Sequence, residues 1–198
     1  MNLQRSFAGR CLGSNKAFLA VLPLVLSLGL TVCFLPSCGR RAALIDAASE
    51  GDLDKVKALI KKGVDVNVKD NYGWTPLMEA TAEGHLDVAK FLVEQGADVN
   101  ARNKIGATAL MWAASMGRLY MVKYLIEQGA DINVRDNYGR TALMEAAYFG
   151  HPYVVKFLVE QGADIHAVDK QGRTALRDAL DEGHLDIAAY LKKVGAEE

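Results

Sequence analysis

A chain of 198 residues, 51% hydrophobic and 24% charged, holds enough apolar material for one folded domain and is not a disordered chain. Its formal charge of −1 is unevenly spread: residues 1–37 hold Arg5, Arg10 and Lys16 with no acid, so the remainder carries −4. A mildly acidic domain lacks the electrostatic footprint a phosphate backbone requires, which argues against nucleic acid as the main partner.

The basic head leads into residues 17–35 (AFLAVLPLVLSLGLTVCFL), an apolar run without a charge. That order suits export, because the head stays cytoplasmic while the run enters the bilayer. The run is also about long enough to span a bilayer. It ends at Leu35-Pro36-Ser37-Cys38, which resembles the lipobox of bacterial lipoproteins. In that family a signal peptidase cuts before a cysteine already carrying diacylglycerol. Leu35 and Ser37 match the preferred residues, Pro36 departs from them, and Cys33 is the poorer candidate because bulky Val32 precedes it. The resemblance implies a signal peptide over 1–37, lipidation at Cys38 and a periplasm-facing protein, with Gly39 after the cysteine favouring the outer membrane. A single-pass inner-membrane anchor that is never cleaved is the alternative reading of the same segment.

Cys11, Cys33 and Cys38 all lie in or beside this leader, so the rest of the chain has no thiol for a disulfide, a thiolate metal site or a nucleophile. Residues 38–41 then form a short tether spanning at most ~14 Å. The domain is therefore expected close to the bilayer, with its partner at the same membrane.

From residue 42 the chain repeats itself. Thr75-Pro76-Leu77-Met78, Thr108-Ala109-Leu110-Met111 and Thr141-Ala142-Leu143-Met144 are spaced by 33 residues, with Thr174-Ala175-Leu176-Arg177 and Ala42-Ala43-Leu44-Ile45 at the flanking steps. Gly51, Gly84, Gly117, Gly150 and Gly183 keep the same period. Each unit reads as two antiparallel helices and a projecting turn. Thr75 caps the first helix, Pro76 fits its first position, and Gly84 and Gly96 end the two helices. Leu77, Ala80, Ala89, Leu92 and Val93 form the expected buried stripe, while Asp-Asn-Tyr-Gly at 70–73 and 136–139 is turn chemistry.

Period and string resemble the ankyrin repeat, whose signature is Thr-Pro-Leu-His-x-Ala followed by Gly-His and Gly-Ala-Asp-Val-Asn. Here Met78, Met111 and Met144 replace the signature histidine. The resemblance covers 42–198 and implies an all-α ankyrin-repeat solenoid: five stacked helix-turn-helix units (about 42–69, 70–102, 103–135, 136–168 and 169–198) with β-turn or hairpin tips. Arg177 at the methionine position, Lys192-Lys193 and the charged first repeat read as polar caps on the two ends.

Catalytic and metal chemistry finds little support. His85, His151 and His184 share one repeat position beside the helix-ending glycine, which marks them as structural, and His166 reads as a turn variant. Asp98-Val99-Asn100 and Asp131-Ile132-Asn133 are similar to the start of a calcium loop, but Arg135 stands where the third ligand belongs. We expect no enzyme, no cofactor and no metal.

The ankyrin resemblance places partners on the turn tips and on the concave face of the first helices. Position by position, that surface holds Tyr72, Trp74, Ile105, Trp112, Met116, Tyr138, Tyr148 and Phe149, with Glu79, Glu83, Glu145 and Asp178 as an acidic floor. Exposed aromatic residues are the usual anchors of protein interfaces. The resulting expectation is a monomeric, membrane-anchored protein that scaffolds or stabilises another envelope protein, the alternative being an immunity-type or inhibitor protein that blocks a partner enzyme or toxin. Tyr120 and Tyr153 fall on second helices, away from that surface.

Overall fold

The computed structural model describes residues 36–197, which form ten α-helices and no strand among the described residues. The leader at 1–35 and the side chain of Cys38 lie outside the described residues. No described helix is long and apolar enough to cross a membrane.

The helices fall into five pairs: α1 (Pro36–Glu50) with α2 (Leu53–Lys61), α3 (Pro76–Glu83) with α4 (Leu86–Glu94), α5 (Ala109–Ser115) with α6 (Leu119–Glu127), α7 (Ala142–Tyr148) with α8 (Pro152–Glu160), and α9 (Ala175–Asp181) with α10 (Leu185–Lys193). First helices pack on first helices in sequence, and each also packs on its own second helix. A column of leucines, Leu44, Leu77, Leu110, Leu143 and Leu176, runs through the stack at no more than 1% exposure. Each such leucine contributes ~2–3 kcal/mol by burial. Ala47, Ala80, Ala113, Ala146 and Ala179 are wholly buried beside it and let adjacent first helices approach.

Local signals set the helix ends. Thr75, Thr141 and Thr174 accept the amide of the residue three ahead at 3.2–3.4 Å, as N-caps do, whereas Thr108 holds the same position without that bond. Pro76 occupies the first turn of α3. Gly84 closes α3 at φ 89°, a left-handed conformation that costs glycine little.

Side chains then staple each repeat to the next. His85, His151 and His184 lie over the helix-ending glycine of the preceding repeat and donate from Nε2 to the carbonyls of Ser49, Ser115 and Tyr148 at 3.0, 2.9 and 3.1 Å. A Cβ at Gly117 would sit 2.6 Å from His151 Nδ1, so glycine and histidine are a matched pair. Position 118 has arginine instead, and its guanidinium takes over by donating to the Glu83 carbonyl at 3.1 Å. The Asp-x-Asn runs are a second staple. Asn67 and Asn100 each donate to the glycine carbonyl of the next repeat at 3.0 Å, and their Oδ1 atoms accept the amides of Asp98 and Asp131 at 2.8 and 2.9 Å. Lys57, Lys90, Lys123 and Lys156 lie over the rings of Phe91, Tyr124, Phe157 and Tyr190 at 5.4–5.9 Å, linking the second helices.

In the fifth pair Arg177 is exposed, whereas Met78, Met111 and Met144 at the same repeat position are at most 4% exposed under the next first helix. The N-terminal end differs from the sequence reading. The first helix begins at Pro36 rather than near Ala42, so residues 38–41 are helical instead of an extended tether. At 1.5 Å per residue those four positions rise ~6 Å, not ~14 Å.

Candidate functional site

The turn tips are built by one device. Asp70 Oδ1 accepts the amides of Tyr72 and Trp74 at 2.7 and 2.8 Å, and Asp136 and Asp169 repeat the pattern, with Asn103 Oδ1 doing the same for Ile105 and Ala107. Neighbouring tips join through backbone bonds: Lys104 N–H to the Tyr72 carbonyl, Asn137 N–H to Ile105, and Lys170 N–H to Tyr138, at 2.8–2.9 Å. Residues 72, 105 and 138 therefore stand in register along a ribbon. Tyr72 and Tyr138 are 57% and 53% exposed, and Ile105 between them is half-buried.

Four of the expected contact residues on the first-helix face, Glu79, Met116, Tyr148 and Phe149, are half-exposed. Tyr148 and Phe149 meet edge to face, with ring centroids 5.0 Å apart. Glu83, Asp181 and Glu182 are exposed on the same face of the stack.

Three expected contact residues are not at the surface. Trp74 is 2% exposed and Trp112 6%, their ring centroids 4.5 Å apart, so the indoles pack on each other between a tip and a neighbouring first helix. Glu145 is 6% exposed and Asp178 1%. The acidic floor thus loses two of its four members to internal ion pairing. Arg140, itself 9% exposed, donates to Glu145, lies 3.0 Å from Asp178 and 3.7 Å from Asp169, and rests over the Tyr148 ring at 5.4 Å. Arg173 reaches Asp169 at 3.1 Å and Asp178 at 3.4 Å.

Two guanidiniums thus serve three carboxylates. Burial pushes the Glu145 and Asp178 carboxyls above their usual range, only partly opposed by Arg140 and, for Asp178, Arg173. Burial works against the Arg140 charge, but Glu145 and Asp178 outweigh it and hold the guanidinium above its ordinary value. Burial would also raise Asp169, yet the amides of Arg173 and Gln171 overcome it and bring that carboxyl below its usual range. The signal was readable: arginine stands five residues before an acid at 140/145 and again, one repeat on, at 173/178.

Tyr120 and Tyr153, 77% and 72% exposed, start the second helices at the opposite end from the tips. A shallow hollow of about 400 Å³ beside Tyr120 is lined by Gly84, Leu86, Gly117, Arg118 and Leu119. It lies away from the first-helix face. Among the described residues, no group of three or more His, Cys, Asp or Glu is placed to hold a metal ion.

Comparison with known proteins agrees with the geometry. The family model for ankyrin repeats (three copies) matches residues 22–103, 44–136, 100–169 and 135–198, overlapping stretches that run to the last residue. No curated protein matches the chain.

Proposed function

Because the chain belongs to the ankyrin-repeat family, a class of protein-interaction module, we propose that it is a membrane-anchored binder holding another cell-envelope protein on the first-helix face of its stack. The observation that carries this reading is the half-exposed apolar cluster of Met116, Tyr148 and Phe149 at the centre of that face, bordered by Glu79, Glu83 and Glu182. Apolar side chains ringed by charge are how a protein interface excludes water around its anchors. A partner with an apolar knob flanked by Lys or Arg fits that surface. The membrane half of the proposal is supported by the charge-free run at 17–35 and by the lipobox-like Leu35-Pro36-Ser37-Cys38.

Partner capture from solubilised native membranes tests the binding half. Tyr148→Ala with Phe149→Ala should weaken capture at least ~tenfold, the loss of ~1.4 kcal/mol or more expected of interface anchors. Lys90→Ala on α4 should leave it unchanged. Equal capture by all three proteins removes the first-helix face as the binding surface. Activity of the captured protein separates two roles: a scaffold leaves it active, an inhibitor silences it. For the anchor, Cys38→Ser should abolish incorporation of labelled fatty acid, whereas an intact leader in mature wild-type protein would support the single-pass form.

A further inference from the structure

At the end of the stack opposite the tips, where each first helix turns into its second, two repeat positions change character together. The residue closing each first helix, as its last residue or its C-cap, is Glu50, Glu83, Met116, Phe149 and Glu182 in repeat order. The second residue of each second helix is Asp54, Asp87, Tyr120, Tyr153 and Asp186. Both columns run acid, acid, large apolar or aromatic, the same again, acid. All ten side chains are exposed or half-exposed, and three of the repeats fold with acids in both places. Packing inside the stack therefore does not call for the change in the third and fourth repeats.

The hairpins are held side by side: Arg118 lies against Gly84, His151 against Gly117 and His184 against Gly150, which keeps adjacent repeats in step. Met116, Tyr120, Phe149 and Tyr153 thus share one patch across two repeats. The hollow of about 400 Å³ between Leu86 and Leu119 opens beside Tyr120, and Leu185, 69% exposed, follows on the far side. Acids frame the patch along both columns. Of these six, only Glu50 is in an ion pair among the described residues, with Lys55 at 3.0 Å. The other nearby cations are engaged elsewhere. The Arg118 guanidinium donates to the Glu83 carbonyl at 3.1 Å. Lys57, Lys90, Lys123 and Lys156, a turn further along the second helices, lie over the rings of the next second helix.

We propose that this hairpin end is a docking surface for a segment of a partner protein with an apolar or aromatic centre and Lys or Arg at each end. The inference rests on the reading of Met116 and Phe149 as partner contacts, and carries the site round the hairpins onto Tyr120 and Tyr153. Aromatic anchors at the centre exclude water and hold most of the binding energy, while charges at the rim select and steer the partner. Packed helices lie about 8–10 Å apart, which puts the acids of the second and fifth repeats about 24–30 Å from each other. That is the reach of about eight or nine extended residues. A second copy of this chain would bring acids against acids, and an anionic bilayer would be repelled in the same way.

A photoreactive amino acid replaces Tyr120, Tyr153 or Phe149 in the full chain, in cells that make it, and the crosslinked peptide is sequenced by mass spectrometry. Adducts at 120 and 153 should map to one segment with an apolar or aromatic centre and basic ends. That segment, synthesised with a fluorophore, should bind the purified full chain. Tyr120→Ala with Tyr153→Ala should weaken binding at least ~tenfold, and Tyr120→Phe with Tyr153→Phe should retain it. Asp87→Lys with Asp186→Lys should weaken it, as should high salt. With the tyrosines 77% and 72% exposed, the alanine variant should melt where the wild type does. An adduct at 149 without one at 120 or 153 overturns the hairpin surface and leaves the first-helix face standing. No protein adduct at any of the three overturns both. Adducts at 120 with phospholipid, with a second copy of this chain or with a segment lacking basic ends overturn the proposal, as does a synthetic segment that binds every variant alike.

Discussion

Arg140→Ala probes the internal joint between the fourth and fifth repeats. The arginine is 9% exposed and faces Glu145, Asp178 and Asp169, with Asp178 1% exposed and Arg173 left as its remaining cation at 3.4 Å. Removing one member of a buried pair leaves a charge uncompensated and costs ~3–5 kcal/mol. That is a large share of the ~5–15 kcal/mol that holds a domain folded. The deficit should depend on pH. Glu145 and Asp178 already have folded pKa values above the ordinary carboxylate range, so the stability they confer is fully present below that range and is lost as pH rises through the raised values. Without Arg140 both rise further, and the buried carboxyls can relieve their charge by protonation. Urea unfolding should therefore show a loss of ~3 kcal/mol or more at about pH 8 and a smaller one at about pH 5. Amide exchange should quicken first in α9 and α10, since a stack is held by nearest-neighbour contacts. Arg177→Ala is the control: its pair with Asp181 is 3.0 Å long but about half exposed, and losing it costs ~0.5 kcal/mol or less. A deficit under ~1 kcal/mol for Arg140→Ala, or one equal at both pH values, would refute this reasoning.

Trp112→Ala should lower stability by ~3 kcal/mol or more, because a side chain 6% exposed and stacked on Trp74 leaves a cavity when truncated; a melting curve that does not move would return Trp112 to the surface. Deleting residues 103–135, one whole period, should leave a shorter, cooperatively folding helical protein, whereas deleting 103–118 should not. Circular dichroism of the two deletions reads the difference directly.

The repeat order was legible because a stack asks the same of every unit, so threonine caps, helix-ending glycines and buried leucines return at one spacing. Met144 and Arg177 show the same logic: the position is buried under a following first helix and exposed in the fifth pair. What the period could not show were contacts between different repeat positions. Trp74 lies in a tip segment and Trp112 on a first helix, 38 positions apart rather than 33, and nothing periodic pairs them. Glu145 lies on a first helix as the period implies, but it is buried rather than part of an exposed floor, because Arg140 turns inward from the preceding tip to meet it. The start of α1 was set too late for a related reason. Position 42 is where homology between repeats begins, and a helix that extends past it has no counterpart to compare.

The central claim, that the first-helix face holds a protein partner, is tested most directly by photocrosslinking in intact cells. A photoreactive residue at position 149, beside Tyr148 at the centre of the apolar cluster, should yield one discrete protein adduct, and the same residue at position 90 on α4 should yield none. Cells in which position 149 gives no protein adduct, or the same adducts as position 90, would contradict it.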